Sequence, residues 1–199
     1  MADFKEVYMK LQSGLEIDIC VWQSHKDAQT LVIVAPDSSA ADWDQFVSFL
    51  PSAYSPILAN VSSSLDLLML ITELGERVLV LVQGQQAADI ASSLIAIAPT
   101  AAYRLILCDG EISPDQADEM HEISTLVLRG RQSKTISHAT AVKMHELLKN
   151  STLIEPEDCG DFPAKDNPNA AASAINMFLA DVRGNFDEES EGEPIDPMA

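Results

Sequence analysis

The most constraining feature of this chain is a series of short, continuous apolar runs separated by segments of helical pattern. Four of these runs are Thr30–Ala35, Arg77–Val82, Tyr103–Cys108 and Thr125–Leu128. A strand with apolar residues at nearly every position is typical of a parallel sheet covered on both faces. Strands that alternate with helices of about 10 to 15 residues are joined by right-handed crossovers. The pattern therefore predicts an α/β three-layer sandwich with a mostly parallel sheet.

The N-terminal residues follow a different pattern. Phe4–Leu11 and Leu15–Trp22 alternate apolar and polar side chains, and Gln12-Ser13-Gly14 separates them. Alternation with a period of two is typical of strands with one solvated face, and a short connection that contains Gly favours a tight turn. The sequence therefore predicts an antiparallel hairpin ahead of the parallel sheet. A simple nucleotide-binding domain would not need this hairpin.

The remaining elements are bounded by helix-start and helix-stop signals such as Ser62-Ser63-Ser64, Gly75 and Pro99. Two further short strands are expected at Tyr54–Asn60 and Thr152–Glu155. One helix is expected to follow the three serines and end near Leu74, and the others are predicted at Ala40–Leu50, Gln86–Ala98, Ser137–Lys149 and Pro168–Val182. Because no repeat or linker interrupts this order, residues 1–183 are predicted to form one domain.

The net charge of −19 is the strongest statement that the composition makes, and part of the excess is local. Between Asp187 and Ala199 there are six acidic and no basic residues. Such a segment cannot bury enough apolar surface to order itself. We therefore expect residues 184–199 to form a disordered acidic tail, either a solubilising end or a docking segment for a basic partner.

The same charge excludes several classes of partner. Phosphate backbones and anionic lipid surfaces would be repelled, so we expect neither nucleic-acid nor membrane binding. No segment approaches the roughly 18 unbroken apolar residues of a membrane span. The N-terminus lacks the basic-then-apolar pattern of a signal peptide, so a cytoplasmic location is expected.

Cysteine spacing and the first strand–helix connection bear on cofactors. Cys20, Cys108 and Cys159 are widely spaced, which favours buried, reduced thiols over a disulfide framework or a zinc site. After the first apolar run comes Pro36-Asp37-Ser38-Ser39, and not a glycine-rich phosphate loop. We therefore expect no metal, no dinucleotide and no other cofactor.

One segment after the second apolar run resembles a known motif. Gln83-Gly84-Gln85-Gln86-Ala87 follows a strand and opens a helix. It resembles the strand–elbow–helix of the α/β-hydrolases, whose motif is G-x-S-x-G. In the preferred register Gln85 takes the place of the nucleophilic serine, since Ala87 and Ala88 then replace the close-packed glycines. A register one residue later would put Gln86 in that place.

Three more segments follow in the order of that family, and the resemblance covers roughly residues 4–182. Val34-Ala35-Pro36-Asp37 resembles the strand end that usually reads His-Gly, and Trp43 follows it in the next helix. Residues 126–133 resemble the strand that ends in G-x-x-D, with Ser133 in the position of the triad acid. Residues 159–163 resemble the turn that carries the triad histidine, with Asp161 in its place.

The resemblance therefore implies the fold of a hydrolase without its catalytic triad. A glutamine amide is not a nucleophile, and an aspartate is a far weaker base than histidine at neutral pH. Residues 109–124 are also too few for the lid that often covers the substrate pocket. We expect a binding, regulatory or scaffolding protein whose partner is an unknown protein or small molecule. A further possibility is a subunit that depends on a partner and docks to it through the exposed edge of the sheet or through the acidic tail.

An active alternative stays open. Asp109 ends an apolar run at a position where some α/β-hydrolases place the catalytic acid, so it could act with Asp161 in a divergent esterase. With Asp37 and Asp158 these carboxylates could also surround a cation, or they could be solvated loop residues. The candidate ligand-binding residues are Asp37, Ser38, Gln85, Gln86, Asp109 and Asp161.

Overall fold

The computed structural model describes residues 4–11, 14, 16–23, 27–36, 38–75 and 77–180. The strands are β1 (Phe4–Lys10), β2 (Glu16–Trp22), β3 (Gln29–Val34), β4 (Tyr54–Ala59), β5 (Val78–Gln83), β6 (Ala102–Cys108), β7 (Ser124–Leu128) and β8 (Ser151–Ile154). The helices are α1 (Ala40–Phe49), α2 (Ser64–Leu74), α3 (Gln85–Ile97), α4 (Pro114–Glu119), α5 (His138–Leu147), α6 (Pro163–Asp166) and α7 (Pro168–Ala180).

The eight strands form one sheet in the order β1-β2-β4-β3-β5-β6-β7-β8. The β1–β2 and β2–β4 pairs are antiparallel, and every later pair is parallel. The hairpin register runs from Phe4 opposite Trp22 to Lys10 opposite Glu16. This arrangement confirms the mostly parallel sheet with an N-terminal antiparallel hairpin. Gln12 and Ser13 of the expected turn lie outside the described residues.

Each face of the sheet carries its own apolar core, which explains the continuous apolar runs. In β5, Val80 and Val82 point into a cluster with α2, α3 and α5. The alternate residues Leu79 and Leu81 point into a second cluster with α1 and α7, which includes the buried Trp43. Because side chains alternate across a strand, a strand between two cores needs apolar residues at every position. The three-layer prediction is confirmed.

Local signals explain where the helices begin and end. In α2, the Ser63 hydroxyl accepts the backbone N–H of Asp66, and Gly75 ends the helix with a φ of 72°. Two short helices, α4 and α6, were not expected from the sequence. The first is started by a capping box in which Ser113 and Gln116 exchange hydrogen bonds. Within the described ranges, none of the helices has the length and apolar character that crossing a bilayer requires.

The C-terminal expectations are only partly described. The closing helix α7 is described as far as Ala180, and residues 181–199, which include the expected helix end at Val182, lie outside the described part of the chain. The acidic tail expected at 184–199 therefore stays a prediction.

Candidate functional site

The turn between β5 and α3 places the residue that resembles a nucleophile at the carboxyl edge of the sheet. Gly84 has a positive φ of 81° here, and its N–H donates to the carbonyl of Cys108 at 2.9 Å. Among the described non-glycine residues only Asp109 and Asp158 have a positive φ. The glycine thus absorbs the sharp reversal of the chain, and Gln85 begins α3 without backbone strain.

The side chain of Gln85 is fully occupied by its neighbours. Its Nε2 donates to the backbone carbonyl of Glu111 at 2.9 Å and to Oδ1 of Asp89 at 3.0 Å. Its Oε1 accepts the backbone N–H of Glu111 at 2.9 Å. The alternative residue Gln86 is exposed, and its side chain has no hydrogen-bond partner among the described residues. Gln85 therefore joins the start of α3 to the segment after β6.

A second glutamine at the same turn connects the elbow to a distant loop. The Nε2 of Gln83 donates to the backbone carbonyl of Asp161 at 2.8 Å. Its Oε1 is buried and has no hydrogen-bond partner among the described residues. Gln83 is not among the site residues predicted from the sequence, where it stands in the place of the first glycine of G-x-S-x-G. Its 78-residue separation from Asp161 left no local signal.

Three residues from three different loops meet beside this glutamine. The hydroxyl of Ser133 lies 3.0 Å from Oδ2 of Asp109 and 2.9 Å from Oδ1 of Asp161. The Ser133 Oγ also accepts the backbone N–H of Ile136 at 3.1 Å. The positions that resemble the triad acid and the triad histidine are thus adjacent, together with the alternative acid Asp109. Ser133 has one hydroxyl proton for two carboxyl groups.

The two carboxyl groups of this cluster differ in protonation. Asp161 accepts the backbone N–H groups of Lys134 at 2.7 Å and Thr135 at 2.9 Å. These donors, led by Thr135, hold the pKa of the Asp161 carboxyl well below its usual range. Burial raises the pKa of Asp109 to about 7, and the negative charge of Asp161 adds to the rise. Near neutral pH, Asp161 is therefore an anion, while Asp109 is partly protonated.

Asp109 is also an unusual residue in its own backbone and burial. It is only 4% exposed, has a φ of 50°, and its Oδ1 has no hydrogen-bond partner among the described residues. Asp tolerates the left-handed region better than most residues. An ionised Asp109 would be a buried negative charge beside the anionic Asp161, which explains why the proton is retained.

The loop that carries Ser133 is held by a buried arginine. Arg129 is 6% exposed, and its guanidinium donates to the backbone carbonyls of Arg131, Ser133 and Ile136. It also forms an ion pair with Glu155 at 2.8 Å. Because one rigid side chain bonds three carbonyls and a carboxylate, this loop has a single well-defined arrangement.

The loops after β7 and β8 are in backbone contact. A Cβ atom placed on Gly130 would lie 2.5 Å from the carbonyl oxygen of Cys159 and would also collide with that of Gly160. The N–H of Gln132 donates to the Cys159 carbonyl at 2.8 Å. The two loops that bear the acid and histidine positions are therefore packed directly against each other.

The described histidines lie elsewhere. His138 pairs with Glu155 at 2.7 Å, His145 with the hydroxyl of Ser151 at 2.8 Å, and His121 with the carbonyl of Asp118 at 2.7 Å. None of these three is bonded to Asp109, Ser133 or Asp161, and His25 lies outside the described residues. Within the described part of the chain, the cluster therefore has no imidazole to act as a general base.

The structure brings together only part of the expected carboxylate group. Asp158 is exposed and contacts Gln132 at 3.5 Å, and Asp37 lies outside the described residues. The described residues contain no group of three or more His, Cys, Asp or Glu side chains arranged for a metal ion. The Ser38 hydroxyl donates to the carbonyl of Ala35 at 2.9 Å and accepts the indole N–H of Trp43 at 2.8 Å, so it secures the start of α1.

The three cysteines are free thiols. Cys108 and Cys159 are buried as expected, and burial raises the pKa of the Cys159 thiol to about 11. The expectation of burial is wrong for Cys20, which is only half-buried because β2 is the second strand from the edge of the sheet.

No protein-family model and no curated protein match the chain. Among solved structures, it is similar to a membrane phospholipase A described as a bacterial virulence factor, with 15% identity, a TM-score of 0.75 and coverage of 90% of this chain and 87% of that one. It is also similar to a carboxylesterase from Bacillus subtilis, with 12% identity, a TM-score of 0.70 and coverage of 91% of this chain and 92% of that one. A third similar structure is an esterase from Mycobacterium tuberculosis, with 13% identity, a TM-score of 0.72 and coverage of 90% of this chain and 92% of that one. The chain therefore has the α/β-hydrolase fold.

Proposed function

We propose that this chain, which has the α/β-hydrolase fold, is a non-catalytic member of that fold and acts by binding. The observation that carries the proposal is the occupancy of Gln85. The residue at the nucleophile position makes three hydrogen bonds, two of them to the backbone of Glu111. A residue that must attack a substrate needs a free, deprotonatable atom, and an amide held in this way has none.

The neighbouring cluster supports the same conclusion. Acyl transfer through Ser133 would require a base that removes the hydroxyl proton near neutral pH. Asp161 has a pKa below its usual range and is therefore a weak base. Asp109 is partly ionised near neutral pH and is the stronger base of the two, but it is buried and none of the described histidines is bonded to it. The three groups bond to one another and to three backbone N–H groups, and only Oδ1 of Asp109 among their oxygens is buried without a described partner. We interpret the cluster as a structural connection between three loops.

The packing of these loops adds a further argument. The backbone contact between Gly130 and residues 159–160 leaves no gap between the loops that would carry the acid and the histidine. The segment between β6 and β7 contains only α4, which is six residues long. A dry substrate pocket above Gln85 would need a cover that this segment is too short to provide.

The rival function is a divergent esterase that uses Asp109 and Asp161. An esterase assay distinguishes the two functions. It measures turnover of p-nitrophenyl acetate, butyrate and octanoate by the full chain, a boiled sample and an Asp109→Asn/Asp161→Asn variant. The proposal predicts equal background rates in all three. A rate that is present in the native chain and lost in both the variant and the boiled sample would establish the esterase.

We propose a protein partner or a small molecule as the bound species. A pull-down with the full chain and with a chain that ends at residue 183 tests whether the acidic segment docks a partner. Loss of the captured partners from the shorter chain would assign docking to the segment. Unchanged partners would assign it to the folded part of the chain.

A further inference from the structure

The hairpin and the start of α1 enclose a hollow that lies apart from Gln85 and the Asp109 cluster. Its volume is about 260 Å³. Its lining includes Glu6, Tyr8, Asp18, Cys20, Leu58 and Ser39. We name this hollow the hairpin groove. Neither Gln85 nor Asp109 lines it, so it is a separate place in the fold.

The register of the sheet explains why these side chains share one face. Glu6 lies opposite Cys20, and Tyr8 lies opposite Asp18. Cys20 in turn lies opposite Leu58 of β4. Directly opposed residues of antiparallel strands point to the same side, so these five side chains form one continuous surface. Cys20 and Leu58 belong to the core cluster with α1, which identifies this side as the α1 face of the sheet.

The charged residues that line the hairpin groove are all acidic. Glu6 and Asp18 line it, and no Lys, Arg or His is among its lining residues. Both carboxylates are exposed, and neither has a hydrogen bond or an ion pair among the described residues. Lys10 of β1 lies opposite Glu16 and does not line the groove. The two lining carboxylates are therefore free to receive a cation.

The half-buried thiol between them shows that both carboxylates act on the groove. Burial raises the pKa of the Cys20 thiol, and the negative charges of Glu6 and Asp18 raise it further. Tyr8 adds an aromatic ring that is 76% exposed. Aromatic faces attract organic cations, and Leu58 and Ala40 offer apolar surface for an attached chain.

We propose that the hairpin groove binds a small organic cation, with an alkylammonium group between Glu6 and Asp18 and its apolar chain against Tyr8 and Leu58. The inference gives the proposed binding role a site and a ligand class. Its failure would leave the question of catalysis untouched, because the groove shares no residue with the elbow or the Asp109 cluster.

The test is a titration of the ¹⁵N-labelled full chain with hexylammonium chloride at physiological ionic strength, with 1-hexanol and hexanoate as neutral and anionic analogues. Hexylammonium should shift the amide signals of β1, β2 and residues 38–40 and saturate in the millimolar range or below. The Glu6→Gln/Asp18→Asn variant should bind it at least about tenfold more weakly, since both carboxylates that would face the ammonium group are then neutral.

A matched control separates the groove from the general acidity of the chain. Glu73→Gln/Glu119→Gln removes the same charge from two exposed positions outside the groove and should bind like the native chain. Equal binding by both double variants would overturn the proposal. So would equally tight binding of 1-hexanol, saturable shifts confined to other elements, or no saturable shift at all.

Discussion

The side chain of Gln85 and the backbone of Glu111 form a reciprocal pair, in which the amide donates to the carbonyl at 2.9 Å and accepts the N–H at 2.9 Å. This is the pairing that a neighbouring strand would provide, supplied by one side chain. It fixes the segment after β6 to the first turn of α3. The position that resembles a nucleophile is therefore used to hold the fold together.

Replacing this glutamine should lower stability without a catalytic consequence. Gln85→Ala removes hydrogen bonds to Glu111 and Asp89, and because the site is exposed, water replaces part of them. We expect the free energy of unfolding to fall by about 1 kcal/mol. Gln86→Ala, next to it and without such contacts, should change it by less than about 0.5 kcal/mol. Urea unfolding measures both, and equal effects would contradict the pairing.

Asp109 should make the protein less stable as the pH rises. Its carboxyl has a pKa of about 7 in the folded state and about 4 when unfolded, so the folded state favours its proton. The resulting stability is complete below about pH 4 and is lost as the pH rises through 7. Over this range the loss is about 4 kcal/mol.

The variant Asp109→Asn isolates this effect, because asparagine does not ionise and tolerates the φ of 50°. Its unfolding free energy should exceed that of the native chain by a few kcal/mol near pH 8, and the difference should shrink toward pH 4. Urea titrations of both proteins across this range provide the measurement. A constant difference at every pH would show that Asp109 does not titrate as described.

The Arg129–Glu155 ion pair should contribute much more to stability than the exposed Arg131–Glu157 pair. The side chain of Arg129 is 8% exposed and that of Glu155 is 16% exposed. Arg129→Ala therefore leaves three carbonyls without this donor and leaves a half-buried carboxylate with His138 as its only described partner. We expect a loss of about 3 to 5 kcal/mol. Arg131 pairs with Glu157 at side-chain exposures of 60% and 74%, and Arg131→Ala should lose less than about 1 kcal/mol. Comparable losses in denaturant titrations would refute the difference.

The backbone contact between the two loops predicts a steric effect at Gly130. A methyl group there would meet the carbonyl oxygens of Cys159 and Gly160, which belong to the main chain and cannot turn aside. Gly130→Ala should therefore lower stability by about 1 to 3 kcal/mol or more. At Gly75 nothing lies within 4 Å and only the φ of 72° opposes a side chain, so Gly75→Ala should lose about 1 kcal/mol. A harmless Gly130→Ala would show that the loops can separate.

The fold was predictable because its main elements have signals in the local sequence. The central strands lie between two cores and are apolar where both faces are covered, as residues 78–82 are in β5, and Gly75 marks a helix end. The short helix α6 was missed because four residues have no measurable period. The helix α4 was missed because its capping box precedes a polar segment without an apolar stripe.

The site was predictable only where a family resemblance supplied positions. That resemblance pointed to Gln85, Ser133 and Asp161, and the structure places Ser133 beside Asp161. It could not show that Gln85 turns to Glu111, because a backbone partner leaves no residue type to recognise. The contact of Gln83 with Asp161 and the hairpin groove depend on how distant strands come together. Such features arise from tertiary structure and have no motif.

Covalent labelling of the native chain is the sharpest test of the proposal that it does not catalyse acyl transfer. A fluorophosphonate forms a stable adduct with a serine that a base activates, and intact-protein mass spectrometry detects each addition. A non-catalytic chain should keep its unmodified mass after prolonged exposure, identical to that of a boiled sample. A saturable single addition to the folded chain, mapped to Ser133, Ser38 or any other serine, would contradict it.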